Sequence, residues 1–241
     1  MAKRTRKTGR THEVIEGGDT AAARAAHRVF LLSPANSGGE RMALVLSPRA
    51  RFALAHAVQG DGAPLGEVFA FASGLYFRGK LAYARAFGRP PRDVPGALVI
   101  APGAGLVPVD ATIRAAELRA FAAVPVDARD VRFRAPLERD ARLLGERLGP
   151  EGEVVLLGSI ASPKYVEPLL AILGRRLLFP QDFVGRGDMS RGGLMLRAVR
   201  AGEELAYAPV DGAVRRGARP PRLPRLPKAP AGSGDEPAGS G

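Results

Sequence analysis

The sequence predicts an α/β fold: an open, mostly parallel sheet with helices on both faces. Three observations carry that expectation. Four short runs are apolar without alternation: residues 29–32 (VFLL), 97–100 (ALVI), 154–157 (VVLL) and 176–179 (RLLF). A strand buried on both faces reads this way, and parallel strands are buried on both faces. Each run is followed by a Gly-, Ser- or Pro-containing loop and then by a helical period. Strand alternating with helix is the pattern of right-handed crossovers around one sheet.

The first run leads into SPANSGGE, residues 33–40. Ser37 and Glu40 have the spacing of a capping box, so a helix is expected to start there. Ser47-Pro48 reads as the start of another helix, with Phe52, Ala55 and Val58 on one face. Residues 73–87 (SGLYFRGKLAYARAF) read as a single helix with Phe77, Leu81 and Ala84 inward. The second strand run follows, and its loop is APGAGL. Residues 136–148 form a helix bounded by Pro136 and Gly149, with Leu137, Leu144 and Leu148 on its apolar side. After the third strand run, Ser162-Pro163 places a capping hydroxyl before a proline at the first helical position. Val166, Leu169, Leu170 and Leu173 make its stripe, and Gly174 supplies its left-handed end. The fourth strand run leads through GRGDMSRGG, residues 185–193, to a helix over 194–199.

Two basic segments flank this domain. Residues 1–27 are basic and then Gly- and Ala-rich, with a short helix conceivable at 21–26, and residues 211–241 are rich in Pro, Arg and Gly. Both read as disordered tails around a single domain over 28–210. The net charge of +12 lies in them. Eleven of the 36 Lys and Arg residues fall in 1–10 and 213–228, where there is no acid, which leaves 25 basic against 24 acidic residues elsewhere. Such tails attract polyanions without reading sequence, and they also simply solubilise a chain. Pro-Xaa-Xaa-Pro spacings in the C-terminal tail arise readily in so proline-rich a segment.

Composition narrows the chemistry. There is no Cys, which removes disulfides, thiolate nucleophiles and cysteine metal sites, and the three His are dispersed. No metal or cofactor is expected. No apolar run has transmembrane length, and the basic N-terminus lacks an apolar stretch behind it, so a cytoplasmic protein is expected. GAG at 103–105 is not a dinucleotide fingerprint, because Pro108 stands where the third glycine belongs, and Gly79-Lys80 is followed by Leu81 rather than Ser or Thr.

Ligands in open parallel sheets sit beyond the carboxyl ends of the strands. Asn36 and Ser37 follow the first strand there. Tyr76, Arg78, Lys80 and Tyr83 share two turns of one helix; the group is either a solvated basic face or a grip for a phosphate or carboxylate with a tyrosine to stack on a base. Lys164 and Tyr165 begin the helix after the third strand, and Arg186, Asp188 and Arg191 punctuate the glycine-rich segment after the fourth. These ten positions, Tyr83 aside, are the candidate ligand-binding residues. No spacing marks a catalytic pair.

VFLLSP at the start of the domain resembles the strand and turn that open a Rossmann-like family of uncharacterised bacterial proteins. That family is similar in outline to the nucleoside deoxyribosyltransferase-like superfamily. GLYFRGKLAYA followed by ALVIAPGAGLVPVD, and SPKYVEPLLAILG leading through LLFPQ to GRGDMSRGG, extend the likeness over residues 28–200. The resemblance implies binding of a nucleoside or nucleotide. For an enzyme it implies a transferase or hydrolase of the N-glycosidic bond, in which a carboxylate attacks the anomeric carbon; no position here matches that nucleophile. The alternative is a non-enzymatic protein that associates with DNA or RNA through its basic tails.

Overall fold

The computed structural model describes residues 26–36 and 38–224. Ser37, the short helix conceived at 21–26 and most of both tails therefore lie outside the described residues. The described chain forms a six-stranded sheet in the order β4-β3-β1-β6-β7-β8. Its strands are β1 (Arg28–Leu32), β3 (Ala97–Ala101), β4 (Gly105–Pro108), β6 (Glu153–Leu157), β7 (Leu177–Pro180) and β8 (Tyr207–Pro209). A separate two-stranded ribbon pairs β2 (Ala63–Pro64) with β5 (Thr112–Ile113). The four apolar runs are the four central strands, and they are parallel to one another. The antiparallel strands β4 and β8 occupy the two edges.

Side chains alternate across the sheet and divide the core in two. Phe30, Leu32, Val99, Val155 and Leu157 face one layer, and Val29, Leu31, Ile100, Val154 and Leu156 face the other. All ten are fully buried, each contributing about 1.5–3 kcal/mol. The first layer contains α1 (Glu40–Leu46), α2 (Ala53–Gln59), α3 (Leu65–Ser73), α4 (Leu75–Phe87), α5 (Ala115–Ala122) and α8 (Asp188–Ala201). The second contains α6 (Val131–Leu148) and α7 (Pro163–Leu173). From β1 the chain crosses the first face to reach β3 on one side. From β3 it crosses the second face to β6 on the other side, as a single crossover hand requires. The strand order therefore reverses direction between β1 and β6.

Several helix ends differ from the expectation. Helix α1 begins at Glu40 with Gly39 as its cap, so Glu40 is the first helical residue and not the third; the Ser37 half of the expected capping box lies outside the described residues. Asn36 Oδ1 instead accepts from the Gly38 N–H at 3.1 Å, closing a local turn. Ser47-Pro48 ends α1 rather than starting α2, since Ser47 N–H bonds back to Leu44. The helix expected over 73–87 is found as α4, starting two residues later at Leu75, because Gly74, with a φ of 63°, separates it from α3. Helix α6 starts five residues before Pro136, capped by the Asp130 side chain accepting from Arg132 N–H at 2.9 Å. Buried Phe133 and Leu137 flank the proline and offset the backbone donor it removes. Helix α8 begins at Asp188, so much of GRGDMSRGG is helix rather than loop. The Ser162 cap, Pro163 and the positive φ at Gly174 are found as expected around α7.

Helices α4 and α8 meet backbone to backbone. A Cβ on Gly79 would lie 2.7 Å from the Gly192 carbonyl oxygen, and one on Gly192 would lie 2.8 Å from the Leu75 carbonyl oxygen. Only glycine permits that approach, which brings the start of α8 beside the start of α4. At the amino edge of the sheet, Arg28 pairs with Glu153 at 2.5 Å and with Glu204, and its guanidinium lies 4.7 Å from the Tyr207 ring centre. Tyr83 and Tyr207 share a hydroxyl–hydroxyl bond of 2.6 Å there. The buried charges at this end compensate one another. No helix among the described residues is long and apolar enough to cross a membrane.

Candidate functional site

Between the carboxyl ends of β1 and β6 lies a polar cleft of about 420 Å³. It stands where the strand order reverses, the position at which doubly wound sheets leave a crevice. Its floor is the residues that leave the two strands, Ser33 to Asn36 after β1 and Ser159 after β6. Ser162, Lys164 and Tyr165 come from the start of α7, Ser73 and Tyr76 from the α3–α4 junction, and Asp188 from the start of α8. Three helix N-termini thus border the cleft, and each contributes a partial positive charge. A smaller recess of about 170 Å³ shares Pro34, Ala35, Asn36 and Val126 with it and is otherwise walled mainly by Pro102, Phe121 and Val124.

Lys80 lies beneath the floor, 1% exposed. Its Nζ donates to the Ser33 carbonyl at 2.7 Å and to Ser33 Oγ at 2.9 Å. The ring of Tyr76, centred 4.3 Å away, and that of Phe77, 4.8 Å away, enclose the rest of it. No carboxylate among the described residues forms an ion pair with it. Burial without a counter-charge favours the neutral amine and lowers its pKa to about 7; Asp188 pulls it up and Arg191 pushes it down further. This lysine is therefore not part of a solvated basic face. It is in phase with Phe77, Leu81 and Ala84, and that inward phase was readable from its position in the helix.

The Tyr76 hydroxyl is buried without a well-formed hydrogen bond among the described residues, and the Arg191 guanidinium lies near it. Burial raises its pKa well above the usual phenol range, so it remains a donor. The Tyr165 hydroxyl is also shifted up by burial, while Ser33 and the Ser159 backbone act to lower it. Gly158 makes room for this cluster, since a Cβ there would lie 3.0 Å from both the Tyr165 hydroxyl and Ser33 Cβ.

Of the positions expected from sequence, Asn36, Tyr76, Lys164, Tyr165 and Asp188 meet at this cleft, and Lys80 underlies it. Arg78 is exposed on the far side of α4 from Tyr76 and Lys80. Arg191 is buried and occupied, donating from Nε and Nη2 to the Phe183 carbonyl and from Nη1 to Asp188 at 3.5 Å. Arg186 lies in a different cleft, of about 590 Å³, between α8 and residues 219–224. Among the described residues, that second cleft presents Arg186, Arg197, Arg219 and Arg222 and no carboxylate. Ser33 was not anticipated, although its place directly after the first strand run was the available signal. The same is true of Ser159 and Ser162. Among the described residues no three His, Asp or Glu side chains gather to hold a metal ion.

Comparison with protein-family models, with curated proteins and with solved structures gives no match for this chain.

Proposed function

We propose that this chain binds a small nucleoside- or nucleotide-like molecule in the cleft between the carboxyl ends of β1 and β6, on a Rossmann-like α/β scaffold. The observation that carries the reading is Tyr76, which lines a cleft at the strand-order reversal and whose buried hydroxyl has no well-formed hydrogen bond among the described residues. A buried donor without a partner costs about 1–3 kcal/mol, which a ligand acceptor recovers. Serine hydroxyls and Asn36 suit the hydroxyls of a sugar, and Lys164 at the start of α7 suits a phosphate. Tyr165 offers a ring beside them, whereas one face of Tyr76 is taken by Lys80. Asp188, the one carboxylate on the lining, is where N-glycosidic chemistry would have to begin.

A thermal-shift series with nucleosides, nucleotides and sugar phosphates tests this. At 100 times its dissociation constant a true ligand adds about 2.7 kcal/mol, a melting shift of roughly 5–10 °C for a domain of this size. Lys164→Ala should weaken phosphorylated ligands only. No stabilisation by any of them at millimolar concentration refutes the reading.

A second reading, contact with nucleic acid, is favoured by the four arginines that line the cleft beside α8. Fluorescence anisotropy with a labelled oligonucleotide separates the two. Loss of affinity in Arg186→Ala/Arg197→Ala locates it on that face, and loss only on removal of residues 1–27 and 211–241 locates it in the tails.

A further inference from the structure

We propose that Ser33 and Lys80 form a nucleophile and general-base pair that hydrolyses carboxylic esters of small molecules bound in the same cleft. The inference rests on that cleft being a small-molecule site, but not on the ligand being a nucleoside. Three features of the geometry carry it.

The first is the pairing itself. Ser33 Oγ lies 2.9 Å from Lys80 Nζ, and its residue lines the cleft while Lys80 is sealed behind it. A serine hydroxyl is a weak nucleophile until a neighbouring base takes its proton. Lysine serves as that base only when neutral, which needs burial without a carboxylate partner. The second is orientation. Nζ donates to the Ser33 carbonyl at 2.7 Å and is wedged between the Tyr76 and Phe77 rings, which holds the amine against Oγ; the Ser33 hydroxyl, which donates to the Leu157 carbonyl at 3.4 Å, turns to Nζ when the amine is neutral. The third is a donor for the developing oxyanion. The Tyr76 side chain lines the same cleft, and its hydroxyl, buried near Arg191 without a well-formed hydrogen bond among the described residues, is the donor nearest to hand.

The charged and titratable groups around Lys80 come from three helices: Tyr76 on its own helix, Asp188 and Arg191 on α8, and Tyr165 on α7. Asp188 and Arg191 act on the amine in opposite directions, and burial outweighs both, bringing its pKa to about 7. Half the base is then neutral near neutral pH, where a general base works best.

The step balances with water as the only co-reactant. Ser33 Oγ bonds to the ester carbonyl carbon as its proton passes to Lys80 Nζ, and the oxyanion accepts from the Tyr76 hydroxyl. Collapse breaks the bond to the alcohol oxygen, which takes the proton from Lys80 and leaves. Water then adds to the acyl-serine carbonyl and gives a proton to Lys80. The bond to Oγ breaks and the proton returns to Ser33. One ester and one water yield one acid and one alcohol. The recess walled by Pro102, Phe121 and Val124 suits an apolar acyl group next to the polar cleft.

The test is labelling of the full-length chain with a fluorophosphonate, which phosphonylates activated serines, followed by peptide mass spectrometry. The expected result is one adduct on Ser33, no adduct there in Ser33→Ala, and a labelling rate that rises with pH to a plateau with its midpoint near 7. Lys80→Met should label about 100-fold more slowly or less. Should that variant fail to fold, the wild-type adduct position and pH profile decide alone. No adduct on Ser33, or a rate without a midpoint between about pH 6 and 8, overturns the proposal. Labelling of Ser33 in a chain that no nucleoside stabilises supports the esterase pair and rejects the nucleoside reading. Stabilisation by a nucleoside without labelling does the reverse.

Discussion

Replacing Lys80 by Met removes a buried amine that has no ion-pair partner among the described residues and should change how stability depends on pH. The amine titrates at about 7 in the folded chain against 10.5 when free in water. Between those values the unfolded chain holds a proton that the folded chain does not. Stability therefore rises with pH across that window and is lowest below about 7, where the charged amine must be buried. Each pKa unit is worth about 1.36 kcal/mol, so the whole shift amounts to something on the order of 5 kcal/mol, of which about 3 kcal/mol is developed by pH 9.5. The thioether of the variant carries no such titration. Urea unfolding of both proteins between pH 5.5 and 9.5 measures the effect as a difference, in which other groups cancel. The wild-type stability minus that of Lys80→Met should be flat below about pH 6 and should climb by about 3 kcal/mol from pH 7 to 9.5. A flat difference throughout would mean that the amine keeps its charge in the fold, and the reasoning would fail. The scan stops at 9.5 because burial raises the phenol pKa of Tyr76, Tyr83, Tyr165 and Tyr207. A group raised on folding stabilises below its free value and loses that contribution as pH climbs past it, so stability should fall again above about 10 in both proteins.

Other perturbations probe the scaffold. Gly79→Ala places a methyl 2.7 Å from the Gly192 carbonyl oxygen, forces α4 and α8 apart and should cost about 1–3 kcal/mol, read as a lowered melting temperature. Tyr83→Phe removes the acceptor of the Leu205 N–H at 2.8 Å and the partner of the Tyr207 hydroxyl, and chemical denaturation should show a loss of about 1–3 kcal/mol. Arg28→Met takes the shared partner from Glu153 and Glu204 in a partly buried setting, leaving Glu204 only Arg89, and chemical denaturation should show a loss of about 2–3 kcal/mol.

The central strands were legible because a strand buried on both faces must be apolar throughout, and residues 29–32, 97–100, 154–157 and 176–179 are nearly so. The edge strands were not. GLVP and YAP are short and carry proline, and they become strands only by pairing with β3 and β7. Helix α5, from Ala115 to Ala122, passed unmarked for want of a strong apolar stripe. Proline misled at residue 136, because the true start of α6 is set by the Asp130 cap and by packing of Phe133. The same limit applied to the site. Residues at helix starts after strands were identified by the rule that such starts gather at one edge, and five of them do meet there. Charge type alone does not say where the rest lie. Lys80 was read as part of either a solvated basic face or a ligand grip although its helical phase is inward, and Arg191 donates to the Phe183 carbonyl. Which loops converge is a long-range property, fixed here by the Gly79–Gly192 contact that draws α8 to α4.

The central claim is that the crevice between β1 and β6 is where this chain meets its ligand. Amide chemical-shift mapping with whichever nucleoside or nucleotide stabilises the fold tests it most directly. The account predicts shifts concentrated at Ser33 to Asn36, Tyr76, Ser159 and Ser162 to Tyr165, with the rest of the sheet unmoved. Shifts centred instead on Arg186 and Arg197 beside α8, with the β1–β6 crevice silent, would contradict it.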